Sequence, residues 1–269
     1  MTLSAGGGGP EFLCIGAQKA GTTWLHSQLK QHPHVWLPLV KELHYFDSVH
    51  LGTSNRMSRA RAARKLQNLA QKPAPRAKDV AYYKAIAELP WSDALYAHIF
   101  SKGAGLVRGE LTPSYCAIGE AGARHVQRLS PNGRIIYLIR DPVSRMMSSL
   151  RMAARRGQEI DESMLREPMF LNRGDYAANV PVWDRVFGGN VLYVPFGDIR
   201  TSPQDTLRQI EAFIGIGHFD GYEGSEEPVH VGQKLEMSDH VTEAVRRIAA
   251  PQYEYLAQRF GEEFLRRTM

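Results

Sequence analysis

A short apolar run that breaks into a glycine-bearing loop and then into a helix constrains this chain more than any other stretch. Phe12 to Leu29 reads F-L-C-I-G-A-Q-K-A-G-T-T-W-L-H-S-Q-L. Phe12 to Ile15 have the character of a short buried strand and Gly16 to Gly21 that of a tight turn. Thr22 or Thr23 can cap a helix carrying Trp24, Leu25 and Leu29 on one side. Such a loop aims several backbone N–H groups at one point, where the helix dipole adds positive potential, so its natural occupant is a phosphate. Lys19, inside the loop, adds a full charge. The nucleoside-triphosphate loop G-x-x-x-x-G-K-[ST] is nearly matched by Gly16 to Thr23, but Thr22 stands at the lysine position and the only lysine lies at 19. The prediction is a P-loop-like phosphate cradle not built for ATP hydrolysis.

The 269 residues are 43% hydrophobic, enough for a sizeable core, and no long Pro/Gly/Ser linker divides them, which predicts one α/β domain over residues 1–269. A net charge of +5 favours an anionic ligand or substrate but is too small to indicate nucleic acid. Cys14 and Cys116 are the only cysteines, and Cys14 falls inside the first strand, so neither a disulfide scaffold nor a zinc site is expected. Residues 1–10, ending G-G-G-G-P, read as a flexible lead-in. They lack a positively charged start followed by an apolar run, and nowhere do about 18 apolar residues follow one another. A cytoplasmic protein with no transmembrane segment and no metal centre is the expectation.

After the first helix comes Lys41-Glu-Leu-His-Tyr-Phe-Asp47. If this segment is extended, Glu42, His44 and Phe46 share one side while Lys41, Leu43 and Tyr45 share the other. A carboxylate and an imidazole projecting together can form a general base. The alternative is a surface carboxylate beside an ordinary histidine. The stretch Arg56 to Lys78 then carries only basic charges, interrupted by Pro73 and Pro75. It reads either as a solvated face or, within an insert over residues 51–88, as a lid that contacts an acidic acceptor. Its few apolar residues disfavour a membrane-surface helix.

A second strand, loop and helix unit follows an amphipathic helix over Trp91 to Phe100, a strand ending at Glu110 to Pro113, and a helix over Ala121 to Leu129. The buried run Arg134 to Ile139 meets charge at Arg140-Asp141-Pro142. Pro142 suits a first helical turn, and Val143, Met146, Met147 and Leu150 recur at helical spacing. Arg140 and Ser148 could converge on one anion; the alternatives are an Arg140–Asp141 salt bridge and a tolerated helix serine. Ser238 to Phe260, interrupted by Pro251, packs as a closing helical segment.

These residues resemble the sulfotransferases that use 3′-phosphoadenosine 5′-phosphosulfate (PAPS). Q-K-A-G-T-T-W-L is similar to their 5′-phosphosulfate loop. I-I-Y-L-I-R-D-P-V-S-R-M-M-S-S is similar to their 3′-phosphate motif, with its arginine and, eight residues on, its serine. K-E-L-H-Y-F-D resembles the segment carrying the catalytic glutamate of the heparan-sulfate branch, and G-E-L-T-P-S-Y resembles that branch's next strand end. Gly174 to Trp183, Val191 to Asp198 and Ala212 to Ile216 follow the same helix, strand and helix order, so the resemblance covers most of Phe12 to Phe264.

The resemblance implies a three-layer α/β/α domain with a mostly parallel central sheet, the cofactor lying at the carboxyl ends of the first strand and the Arg134 to Ile139 strand. It implies that Lys19 meets the bridging oxygen of the 5′-phosphosulfate, with Ala20, Gly21, Thr22 and Thr23 holding the rest. Trp24 would lie against adenine, and Arg140 and Ser148 would hold the 3′-phosphate. Glu42 would take the acceptor proton, with His44 orienting it or the acceptor. The acceptor is a hydroxyl of a carbohydrate, lipid, phenol or natural product, and no metal is required. Leu111 stands where the heparan-sulfate branch has an active-site lysine, which leaves the acceptor open. The lysine of the C-terminal cofactor loop has its nearest counterpart in Lys234. A P-loop small-molecule kinase is the alternative enzyme, disfavoured by Thr22; a non-catalytic nucleotide-binding module is the alternative outside enzymes.

Overall fold

The computed structural model describes residues 8–227 and 237–269. In chain order its elements are β1 (Phe12–Gly16), α1 (Thr22–Leu29), β2 (Val35–Trp36), α2 (Tyr45–His50), α3 (Arg56–Ala70), α4 (Ala77–Glu88), α5 (Asp93–Phe100), β3 (Val107–Leu111), α6 (Gly119–Leu129), β4 (Arg134–Ile139) and α7 (Pro142–Ala154). Then come α8 (Glu162–Arg166), α9 (Pro168–Asn172), α10 (Tyr176–Phe187), β5 (Val191–Pro195), α11 (Phe196–Thr201), α12 (Pro203–Ile214), α13 (Asp239–Phe260) and α14 (Glu262–Arg267).

The sheet runs β2-β3-β1-β4-β5, and every pairing among the described residues is parallel. Parallel strands covered by helices on both faces lose the apolar–polar alternation, which is why β1 and β4 read as continuous apolar runs; all of β1 and Ile135 to Ile139 are buried. Gly109 on β3 is required by that packing, since a Cβ there would lie 1.9 Å from the Phe12 ring. Connections from the central β1 go first to the β3 side and then to β4, so a crevice opens beyond the carboxyl ends of β1 and β4, the usual ligand position in such sheets.

Several local expectations change. Gly9 and Pro10 are buried, and the Gly9 N–H donates to the Leu129 carbonyl at 3.0 Å, so Gly9 and Pro10 are packed against the body of the fold, at the end of α6, rather than forming part of a flexible lead-in. Neither Thr22 nor Thr23 caps α1: the N-cap is Gly21 in the left-handed region at φ 93°, and Thr22 is already helical. A Cβ there would also meet Ile199 Cδ1 at 2.9 Å, so both backbone and space call for glycine. Asp141 does not pair with Arg140; it caps α7 by accepting from Ser144 N at 2.7 Å and also accepts from the Tyr253 hydroxyl. Pro251 sits inside a continuous α13. The basic stretch is a helical hairpin of α3 and α4, fastened where Arg59 donates to the Ala87 and Leu89 carbonyls at 2.8 Å each.

Candidate active site

Beyond the ends of β1 and β4 lies a cavity of about 1010 Å³. It is at the upper end for a small-molecule site and large enough for a nucleotide with a second reactant. Lys19, Gly21, Thr22, Thr23 and Trp24 line it from the loop and α1; Arg140 and Ser148 line it from the end of β4 and from α7; Glu42 and His44 face them from the segment before α2. Ala20, which the sequence also assigned to the site, is fully buried behind the loop, where its N–H donates to Ala17 O at 3.1 Å. Lys234 lies outside the described residues.

The loop is shaped by two left-handed residues, Lys19 at φ 72° and Gly21 at φ 93°. A non-glycine residue held there is an uncommon conformation that recurs where a ligand is bound. The first turn of α1 leaves N–H groups without intrahelical partners. Trp24 is nearly buried, and its indole N–H donates to the Ser225 carbonyl at 2.8 Å, tying the segment around Ser225 to the cavity wall.

Arg140 stacks over the Phe196 ring at 4.4 Å and donates from Nη1 to the Lys19 carbonyl at 2.6 Å, while its Nε is buried with no partner. Burial, together with Arg155, Arg140, Arg156 and Lys41, pushes the Lys19 ammonium below its ordinary pKa. Burial likewise lowers Arg140, with Arg200 and Arg151 acting in the same direction. Nine Lys and Arg residues line the cavity against the three carboxylates Glu42, Glu226 and Glu227. Such a cationic excess in a partly desolvated cleft makes a positive potential that attracts anions.

Across from the loop, the segment expected to be extended is folded. Glu42 and His44 are both left-handed, at φ 60° and 56°, and α2 begins at Tyr45. The pair still projects together, His44 Nε2 lying 3.7 Å from Glu42 Oε2, an ion pair too long for a direct hydrogen bond. Phe46, expected on the same side, is fully buried instead. On its other edge His44 Nδ1 meets Asp47 Oδ2 at 2.9 Å, and the Ser114 hydroxyl donates to the same oxygen at 2.7 Å. Burial opposes a charge on Glu42, but His44, Lys41 and Arg61 outweigh it and hold its pKa at about 2. Burial likewise disfavours a charged His44, yet Asp47 and Glu42 raise it to about 9. At neutral pH the site therefore presents a carboxylate flanked by an imidazolium.

Two neighbours of Glu42 escaped the sequence reading. Lys41 Nζ donates to Thr23 Oγ1 at 2.8 Å and lies 3.5 Å from Glu42 Oε1. Arg61 of α3 donates to the Lys41 carbonyl at 2.7 Å and approaches Glu42 Oε2 at 3.7 Å. An extended segment would put Lys41 on the opposite side from Glu42, and nothing local marks Arg61 among the surrounding arginines. The segment is anchored from behind by Glu110, fully buried at the end of β3. Its carboxylate accepts from the Leu43 N–H at 3.3 Å, from Thr112 Oγ1 at 2.7 Å, from the Tyr115 hydroxyl at 2.8 Å and from the Tyr96 hydroxyl.

A parallel α/β sheet with a P-loop-like loop after one central strand, an arginine at the end of the next and a carboxylate opposite defines an α/β fold whose ligand cleft lies at the carboxyl ends of the strands. The chain belongs to the sulfotransferase family: the model of that description, "Sulfotransferase family", matches residues 10–220. It is 25% identical over 222 residues to mouse heparan sulfate glucosamine 3-O-sulfotransferase 3B1, covering 77% of this chain and 46% of that protein. It is 23% identical over 236 residues to human bifunctional heparan sulfate N-deacetylase/N-sulfotransferase 2, covering 79% of this chain and 23% of that protein. The chain thus spans about half the length, or less, of these curated relatives. Among solved structures, a sulfotransferase from Alicyclobacillus acidocaldarius matches with a TM-score of 0.65 and 24% identity over 93% of this chain and 94% of that one. A sulfotransferase domain from the curacin biosynthetic pathway matches with a TM-score of 0.59 and 17% identity over 87% and 82%. Family and fold do not favour the kinase alternative. Among the described residues no helix is long and apolar enough to cross a membrane.

Proposed function

We propose that this chain transfers the sulfuryl group of PAPS to an acceptor hydroxyl, with Glu42 as proton acceptor. The observation that carries the reading is the pairing of two cations, Lys19 in the loop after β1 and Arg140 at the end of β4, with a carboxylate facing them across one cavity. The residues fit a donor carrying two phosphate groups: Arg140 Nε is buried without a partner, and Lys19 is crowded by other cations with no anion among them. Both features are relieved by a bound anion.

In this reading the first-turn N–H groups of α1, with Gly21, Thr22, Thr23 and Lys19, hold the 5′ end. Arg140 and Ser148 hold the 3′-phosphate, and Trp24 borders the adenine. PAPS supplies an activated sulfuryl group with a phosphate leaving group. As the acceptor oxygen bonds to sulfur, the bond from sulfur to the bridging oxygen breaks, its electron pair stays on the phosphate beside Lys19, and the acceptor proton passes to Glu42. A carboxylate with a pKa near 2 is a weak base, so the proton moves late, once the new bond has acidified the hydroxyl. His44, protonated and fastened by Asp47, fixes the carboxylate rather than taking the proton. In-line transfer of this kind depends on positioning and charge stabilisation.

The heparan-sulfate names of the mouse relatives and the cationic lining favour a glycan acceptor that itself bears anionic groups. Two buried free thiols, Cys14 and Cys116, suit a reducing compartment, and the cytoplasm is the placement we propose. Incubating the chain with radiolabelled PAPS and a panel of hydroxyl acceptors, anionic and neutral glycans among them, tests reaction and acceptor together. Label appearing in an acceptor supports the reading; PAPS left intact against every acceptor class speaks for a binding module.

A further inference from the structure

Lys41 lines the site between the loop and Glu42. Its ammonium bridges the two walls, donating to Thr23 Oγ1 at 2.8 Å on the anion-binding turn and lying 3.5 Å from Glu42 Oε1 on the opposite side. Its backbone is fixed as well, because Arg61 donates to its carbonyl at 2.7 Å and the next residue is locked left-handed at φ 60°. Lys19 reaches the cavity from the other end of the loop, its carbonyl fastened by Arg140 at 2.6 Å. The two lysines therefore approach the same volume from separate elements.

Resting on the donor reading above, we propose that Lys41 is a second catalytic lysine, contacting the sulfuryl oxygens while the group passes from the donor held at Thr23 to the acceptor served by Glu42. A lysine ammonium has three donors. One is used by Thr23 and one faces Glu42, which leaves a third for an oxygen of the migrating group. The ammonium thus lies between the α1 turn, where the donor would be seated, and Glu42, where the acceptor hydroxyl would lie. Lys41 forms no covalent bond: it offsets negative charge on the sulfuryl oxygens, while Lys19 offsets the charge that collects on the leaving phosphate. A purely structural role, clamping Glu42 to α1, needs only a hydrogen bond to Thr23 and no interaction with sulfur-borne oxygens.

The discriminating ligands are adenosine 3′,5′-bisphosphate, which lacks the sulfuryl group, and PAPS, which carries it. Calorimetry without acceptor on Lys41→Met and Lys41→Gln should show bisphosphate affinity within about threefold of wild type, while PAPS affinity falls roughly tenfold, the scale of one lost hydrogen bond to a charged group. kcat should fall by about 10²–10³, as when an electrostatic donor is removed from a transition state, and Lys41→Arg should recover part of both losses. Lys41→Gln can still hydrogen-bond Thr23, so it separates charge from clamping. Equal weakening of both ligands, unchanged PAPS affinity, or failure of both neutral variants to fold would each overturn the assignment, the last by making Lys41 a structural clamp. Wild-type protein that binds neither ligand would overturn the PAPS reading itself, an outcome distinct from a lysine variant that keeps full discrimination.

Discussion

Arg140 Nη1 donates to the carbonyl oxygen of Lys19 at 2.6 Å, joining the end of β4 to the loop after β1. If Arg140 and Lys19 hold the two phosphates of the proposed donor, this contact couples the two subsites. Arg140→Met should weaken adenosine 3′,5′-bisphosphate by about 10–100-fold, as expected for a lost charge-assisted hydrogen bond. It should also speed hydrogen exchange at Ala20 and Gly21. An affinity loss with unchanged loop protection would show that the Lys19 contact carries no structural weight.

The Glu42 and His44 substitutions separate base from support. If Glu42 is the proton acceptor, Glu42→Gln, which keeps its shape, should abolish most turnover and leave bisphosphate binding nearly intact. His44→Asn should retain substantial activity. Steady-state kinetics with the reverse pattern, Glu42→Gln active and His44→Asn dead, would make the histidine the base.

Titration gives a further check with a defined sign. His44 is raised from 6.5 to about 9 in the folded chain, so its ion pairs with Glu42 and Asp47 stabilise fully below about pH 6.5. That stabilisation is lost as pH rises through about 9. Glu42 is lowered from 4.5 to about 2, so its contribution is present above about 4.5 and is lost only as pH falls towards 2. Wild-type melting temperature should decline between pH 6.5 and 9 more steeply than that of His44→Asn. Parallel curves would mean that the imidazole is neutral in the fold.

Glu110 supports the site from behind by holding the N–H of Leu43, the residue between the two left-handed positions. Glu110→Ala leaves buried donors from Leu43, Tyr96, Thr112 and Tyr115 without their acceptor, each at a cost of about 1–3 kcal/mol, and should not accumulate as folded protein. Glu110→Gln should fold with a lowered melting temperature and lose kcat more than acceptor KM. A fully active glutamine variant would show that the Glu42 turn holds its shape unaided.

The basic hairpin divides by contact. Arg59→Ala should lower stability by releasing the α4 end, Arg61→Ala should raise acceptor KM in a salt-dependent way, and the exposed Arg64 and Lys65 should tolerate alanine. Equal acceptor effects at Arg61, Arg64 and Lys65 would instead indicate a diffuse charged lid.

The parts of the molecule legible in the sequence are those set by neighbours in the chain. The buried runs of β1 and β4, Lys19 and Gly21 in the turn after β1, Arg140 at the end of β4 and Pro142 opening α7 all follow from local sterics and from burial on both sheet faces. Glu42 and His44 were found through an alternation that the chain does not follow: two left-handed residues, not a strand, return them to one side. That same fold swings Lys41 into the cavity, which an extended segment forbids. Arg61, Phe196 and the Ser225 carbonyl reach the site only through packing of α3, α11 and the segment after α12, and no local pattern distinguishes them.

Thermal denaturation in equal concentrations of adenosine 3′,5′-bisphosphate, ADP and ATP probes the proposed paired-phosphate site, since a ligand specific for the native state raises the melting temperature by mass action. If Arg140 and Ser148 read a 3′-phosphate and Lys19 a 5′-phosphate, the bisphosphate should give by far the largest shift, without magnesium. Equal shifts with ATP would contradict the paired-phosphate site and return the loop to the kinase reading.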